Sequence, residues 1–189
     1  MAELLRTNPL SLLEASMAAA SWPGTTLTPI PFLAQVGVRG RLERLTPAEP
    51  LPPANRVERL GASHLLGLGP DEWLAVGPDG IEAELVDRLR AVIRSEGGAV
   101  VDLSAARTGV LLAGPAARLV LSTCCALDFH PTRFGPGHCA RTLIAKVPVI
   151  IEQLDDEPAY RILVGPSFAA YVVGWLVDGM LGVRAAADR

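Results

Sequence analysis

At 189 residues the chain matches the ~100–200 residues of a single domain, and its 17 basic and 20 acidic residues leave a net charge of -3. No basic block could follow a phosphate backbone, so nucleic acid is excluded as a partner. Half the residues are hydrophobic and the mean hydropathy is +0.33, more apolar than an ordinary soluble domain, which implies a face covered by a partner.

The three cysteines lack a CxxC spacing, which argues against a disulfide framework and fits a reducing cytoplasm. Near the N-terminus, Leu10, Leu12, Leu13 and Met17 with Ala18 to Ala20 resemble a signal peptide in composition, but Glu3, Pro9 and Glu14 break that pattern and leave a short amphipathic helix. Trp22-Pro23-Gly24, Pro29 and Pro31 then halt any helix, so 1–31 reads as an arm lying over another surface. A single α+β domain is predicted over 32–181, beginning with a strand at 32–42 and interrupted by a proline-rich loop at 46–56. Other apolar stretches are broken by Gly114-Pro115 and Pro148 and fall short of the ~20 residues a membrane span needs, so no membrane contact is expected.

Beyond the loop the apolar period alternates between two and about 3.6. A strand at 72–76 leads through Asp79-Gly80 into a helix with Ile81, Leu85, Leu89, Val92 and Ile93 on one face, ended by Gly97-Gly98. Strands at 99–103 and 107–113 flank a turn at 104–106 and read as a hairpin. Gly114-Pro115 opens another helix that carries Leu119, Val120 and Cys124 towards the core and fades near Cys125. A strand at 140–145 follows. This order is that of a ferredoxin-like split βαβ unit in the α+β class, extended by a hairpin of 147–154 with 160–164, a closing helix at 167–181 with Ser167 as N-cap, and a C-terminal tail at 182–189.

Reactive side chains crowd one segment: Cys124, Cys125, Asp128, His130, His138 and Cys139. Zinc takes thiolate and imidazole ligands, but adjacent cysteines point in different directions and the C-x2-4-C and H-x3-5-H spacings are absent. A cysteine–histidine nucleophile pair needs a third, orienting group that proximity in sequence does not supply. Asp102 and Asp128 fit a general acid/base pair; more simply, Asp102 caps the turn before Arg107, its side chain accepting backbone N–H bonds. Gly67-Leu68-Gly69-Pro70 lacks the third glycine of a dinucleotide loop, and Pro70 removes an N–H that such a loop needs. Trp22, Trp73 and Trp175 are too scattered for a stacking platform; Trp73 and Trp175 suit core or interface anchors.

Val101-Asp102-Leu103-Ser104, Arg107, Gly114-Pro115-Ala116-Ala117-Arg118 and Leu121 resemble the aminomethyltransferase superfamily of the glycine-cleavage T-protein. Cys125-Ala126-Leu127-Asp128-Phe129-His130-Pro131, with Arg133-Phe134, Gly137 and Thr142, is similar to the gamma subunit family of heterotetrameric sarcosine oxidase, as are Asn8-Pro9-Leu10, Pro31-Phe32-Leu33-Ala34-Gln35-Val36 and Gly69-Pro70-Asp71-Glu72-Trp73-Leu74. The resemblance implies an accessory, non-catalytic subunit that joins alpha, beta and delta partners. Together they would demethylate sarcosine to glycine, reduce oxygen to hydrogen peroxide and pass the one-carbon unit to tetrahydrofolate. It further implies that FAD, FMN, NAD and tetrahydrofolate sit in the partners and zinc in the delta subunit, and that this chain holds none of them and carries no catalytic residue. Asp102, Arg107, Asp128, His130, Arg133 and Phe134 then become structural or partner-contact positions. Two alternatives stay open: a free-standing folate-binding or one-carbon-transfer domain, and a thiol or metal module.

Overall fold

The structure, a computed structural model, describes residues 6–40, 44–46, 49–93 and 97–188. After a 3-10 turn at Ser11–Leu13 the elements run α1 (Glu14–Ala20), β1 (Thr26–Ile30), β2 (Leu33–Gly40), β3 (Arg44–Thr46), β4 (Glu49–Pro50), β5 (Val57–Leu60), β6 (Ser63–Gly69) and β7 (Glu72–Pro78). There follow α2 (Glu82–Ile93), β8 (Gly98–Asp102), β9 (Thr108–Ala113), α3 (Ala117–Cys124), β10 (Cys139–Ile144), β11 (Val147–Asp155), β12 (Ala159–Val164) and α4 (Ala169–Ala187). Among these, two five-stranded sheets form, one in the order β5-β6-β7-β2-β8 and the other β1-β9-β12-β11-β10.

Alternation along the strands stacks the molecule in layers. In the second sheet Val110, Leu112, Val149, Ile151, Tyr160 and Ile162 turn to a core closed by α1, α3 and α4. Ile150 and Leu163 point the other way and meet Leu33, Leu66, Leu74 and Val76 of the first sheet. The first sheet's outer face, with Val36, Val38, Leu65, Trp73 and Ala75, is covered by Leu85, Val86, Leu89 and Ile93 of α2. The order is helices, sheet, sheet, helix.

The α+β class, the hairpin of β11 with β12 and the C-terminal helix follow the sequence reading, but the pairing of the middle strands differs. Strand β8 pairs with β2, whereas β9 lies between β1 and β12 in the other sheet, so 99–103 and 107–113 form no hairpin. The split βαβ unit is β7-α2-β8, and the strand inserted between its two strands is the earlier β2, antiparallel to both. The buried Gln35 enforces the change of sheet. Its backbone oxygen accepts from Leu103 at 2.7 Å, its side-chain amide donates to the Arg107 carbonyl at 2.9 Å, and its N–H donates to Ser104 Oγ at 3.0 Å.

The segment before residue 32 is built into the fold: β1 is an edge strand of the second sheet, and Leu10, Met17 and Ala20 are buried in its core. An edge position tolerates Pro29, whose missing N–H would break an interior ladder. In the 46–56 stretch, Thr46 and Glu49–Pro50 belong to the β3-β4 ribbon, residues 47–48 lie outside the described residues, and Trp73 Nε1 donates to the Pro52 carbonyl at 2.9 Å. Ser167 is no helix cap; it sits inside a 3-10 turn and Phe168 precedes α4. The helix continues to Ala187, because nothing between 182 and 187 breaks it, so most of the predicted tail is helical and only Arg189 lies outside the described residues. With the preceding turn it spans 22 residues at a mean hydropathy of 1.3, long and apolar enough to cross a membrane by length and composition. Its inner positions Ala169, Val172, Val173, Leu176 and Met180 recur at helical spacing and pack into the core beneath the second sheet.

Two glycines permit close approaches. Gly114 has φ +115° and a Cβ there would lie 1.6 Å from the Gly24 carbonyl, while a Cβ at Gly179 would lie 2.6 Å from Thr123 Oγ1 where α4 crosses α3. Between the sheets, Glu152 is 2% exposed. Arg161, directly opposite on β12, donates to it from Nε at 2.9 Å and from Nη2, and His64 of the first sheet meets it through Nδ1.

Removing one partner of a buried ion pair strands the other charge, at a cost of about 3–5 kcal/mol. Arg161→Met is therefore expected to lower the unfolding free energy by about that much, whereas replacing Glu152, Arg161 and His64 together with apolar residues costs less than the single change. Urea denaturation of both variants checks the order.

Candidate functional site

The six reactive side chains between 124 and 139 do not converge. Cys124 ends α3 with Sγ over the Val120 and Leu121 carbonyls at 3.8 and 3.6 Å. Cys125 packs in the helix-side core with Sγ 3.7 Å from Thr142 Oγ1, and Cys139 lies between the sheets with Sγ 3.4 Å from the Arg56 carbonyl. Burial pushes the Cys124 thiol up to about 11 and the Cys139 thiol up to about 12, so both stay protonated at neutral pH and make poor nucleophiles or ligands. Among the described residues, no three His, Cys, Asp or Glu side chains come close enough to hold a metal ion.

The motif residues occupy turns and core. Asp128 Oδ1 accepts the His130 N–H at 2.9 Å, and the exposed His130 ring contacts Thr132 Oγ1 at 2.8 Å. Phe129 and Phe134 turn inwards and pack edge-on at 5.6 Å, with the Phe129 ring also 5.6 Å from Tyr160. His138 Nδ1 is held by the Gly135 carbonyl at 3.0 Å, and its Nε2 meets Arg56 Nη1. Asp102 accepts from the Ser104 hydroxyl at 2.6 Å and amide at 2.9 Å; these bonds hold its carboxyl below the ordinary range. Asp102 and Asp128 thus each close a local turn, and Arg133 stands exposed.

What the fold does assemble is an apolar surface. The outward face of α4 carries Tyr171, Trp175, Asp178 and Gly182 at spacings of four and three, with the Tyr171 and Trp175 rings 6.4 Å apart. Phe168, Tyr171 and Trp175 are 51%, 50% and 43% exposed, and Leu119 of α3 is 57% exposed. Leu119 therefore points outward, not into the core, because the inward positions of α3 are Ala117, Val120 and Leu121. Together with Trp175, Val183 and Ala186 it lines a groove of about 420 Å³ between the two helices. Within α4 only Asp178 and Arg184 are charged, which is an unusually dry helix for one facing water. Sequence reasoning found Trp175 as an anchor but missed this face as a unit; the scarcity of charge between 169 and 187 was its available signal.

A second cluster lies where the sheets meet at an open end. Arg141 of β10 and Arg39 of β2 both reach Glu72 of β7, at 3.4 and 3.1 Å. These bonds, Arg141 foremost, hold Glu72 below its ordinary value against the opposing effect of burial. The Arg39–Glu72–Arg141 cluster draws its members from distant strands and His64 joins the hairpin pair Glu152–Arg161 from the other sheet, so neither group forms a sequence motif.

The chain matches the sarcosine oxidase, gamma subunit family over residues 48–181. It is 39% identical over 186 residues to the sarcosine oxidase subunit gamma of Corynebacterium sp. (strain P-1), covering 93% of this chain and 90% of that protein. It is 35% identical over 194 residues to the subunit gamma of Corynebacterium sp. (strain U-96), covering 96% and 93%. Among solved structures, a chain of the heterotetrameric sarcosine oxidase of Corynebacterium sp. U-96 superposes with a TM-score of 0.82 at 34% identity, covering 95% of this chain and 96% of that one. The glycine cleavage system aminomethyltransferase T of Bartonella henselae shares the fold at a TM-score of 0.65 and 16% identity, over 90% of this chain and half of that one.

The raised thiols fix a pH dependence. A group whose folded pKa is raised stabilises the fold fully below its unfolded pKa and loses that contribution as pH climbs to the folded value. Cysteine ionisation should thus leave stability unchanged below the ordinary value of 9.0 and erode it between there and about 11 for Cys124 and about 12 for Cys139. Each group contributes a slope of about 1.4 kcal/mol per pH unit in its window. Denaturation of Cys139→Ala across that range should show a shallower decline than the parent chain.

Proposed function

The chain belongs to the sarcosine oxidase gamma subunit family, and from that premise we propose that it is the accessory, non-catalytic gamma subunit of a heterotetrameric sarcosine oxidase. The observation that carries the proposal is the unpartnered apolar face of α3 and α4, with Leu119 and Trp175 lining the groove and Tyr171 and Phe168 exposed towards the start of α4. Apolar area removed from water is worth roughly 25 cal/mol per Å², and exposed aromatics set in a concave seam are the residues that dominate subunit interfaces. The face docks on a large partner subunit.

In this reading the partners do the chemistry. Alpha, beta and delta subunits hold FAD, FMN, NAD and the tetrahydrofolate site, with zinc in delta, and the complex oxidatively demethylates sarcosine to glycine in the cytoplasm, forming hydrogen peroxide and 5,10-methylenetetrahydrofolate. The protonated thiols, the locally satisfied carboxylates and the dispersed imidazoles support a subunit without its own reaction. Phe134 and Asp102 serve the fold, and the exposed Asp128, His130 and Arg133 border partner contacts.

Co-expression of the tagged chain with its partner subunits tests the reading. Trp175→Glu with Tyr171→Glu places charge on the outer face without touching the core, and is expected to reduce recovery of the flavin-bearing partners at least several-fold while the free chain keeps its unfolding midpoint. A complex that assembles, persists and turns over sarcosine at full rate without this chain would overturn it.

A further inference from the structure

Arg107 leaves the turn that carries the chain from one sheet to the other, and among the described residues its guanidinium has no answering group. Its carbonyl is occupied by Gln35, but its guanidinium makes no hydrogen bond or ion pair among the described residues, and its Nη1 is buried without a partner. A buried polar group left unsatisfied costs about 1–3 kcal/mol, and more when charged.

The guanidinium borders a cleft of about 260 Å³ at the open end between the sheets, walled by Leu68, Leu74, Val101 and Leu103. At its floor Gly37 lets Leu103 pack down onto β2, since a Cβ there would lie 2.7 Å from Leu103 Cδ1. Burial foremost, and then the neighbouring Arg141, hold the Arg107 guanidinium below its ordinary value, with Glu72 opposing them, so the charges it feels are those around this cleft. Three arginines, Arg39, Arg107 and Arg141, thus stand around one carboxylate, Glu72, which already bonds to the other two. The positive excess belongs to Arg107.

We propose that this cleft binds a carboxylate borne on a short apolar body, the carboxylate taking the free N–H groups of Arg107 and the body lying against Leu68, Leu74, Val101 and Leu103. A planar guanidinium matches a carboxylate in a two-bond fork. Phosphate fits less well, because Glu72 repels a second negative charge and the walls are apolar. The carboxylate has two sources of the same chemistry: a free small acid, or an acidic side chain of the subunit that covers this end. The second source rests on the proposed subunit role; the first does not.

Thermal unfolding of the full chain with benzoate, against the neutral benzamide at equal ionic strength, is the first arm. Benzoate is expected to raise the midpoint saturably and benzamide not, with the response lost in Arg107→Gln and in Val101→Trp, which fills the cleft. Recovery of partner subunits by Arg107→Gln is the second arm. Benzoate binding with unaltered recovery assigns a free acid, and a several-fold fall in recovery assigns a partner's side chain. If the benzoate response is absent or survives in Arg107→Gln, and recovery is also unchanged, the proposal is overturned. The outer-face variants of α4 report on subunit docking separately, so the two ideas fail independently.

Discussion

The carboxylate of Glu152 is the constraint on which the stacking of the two sheets depends. It sits 2% exposed in β11, faces away from the helices, and is met by Arg161 from the neighbouring strand and His64 from the opposite sheet. A lone carboxylate so placed would cost several kcal/mol in lost hydration. It is tolerable only in the register that brings both partners to it, and a slip of one residue in β11 or β12 would turn Glu152 or Arg161 into the helix-side core. The apolar contacts of Leu66, Leu74, Val76, Ile150 and Leu163 supply adhesion between the sheets, whereas the ionic group specifies their alignment.

That alignment determines what is left outside. One face of the second sheet is consumed by the first sheet and the other by α1, α3 and α4, so among the described residues both of its faces are largely covered. The apolar excess of the composition has to appear on a helix, and it does so on the outer side of α4. A chain that devotes many of its polar groups to turns and to the sheet interface, and exposes Leu119, Tyr171 and Trp175 along one helical seam, is suited to assembly. The aminomethyltransferase T of Bartonella henselae shares this fold over half of its own length.

Much of this was legible in the sequence, because local signals dominated where it was legible. The period of α2, the Gly97 stop, the β11–β12 hairpin around 155–158 and the turn role of Asp102 all depend on neighbours within a few residues. The hairpin of 99–103 with 107–113 failed for the complementary reason. Both segments read as strands, but the choice of partner is made by Gln35, some seventy residues away, and by the vacancy between β1 and β12. Leu119 was misassigned by one helical position, since apolar residues occur on both sides of α3. The Glu152 and Glu72 groups were invisible, although a glutamate inside the apolar run of β11 was a hint that a cation waits opposite. The partner family was legible only as resemblance, carried by the ordered motifs from Asn8 to Thr142.

The role of the α3–α4 face is tested most directly by hydroxyl-radical footprinting, read by mass spectrometry, of the chain alone and within the assembled oxidase. Subunit docking on this seam predicts strong protection of Tyr171 and Trp175 in the assembly, with Trp73, already buried, unreactive in both states. Equal labelling of Tyr171 and Trp175 in the free chain and in the intact complex would contradict it.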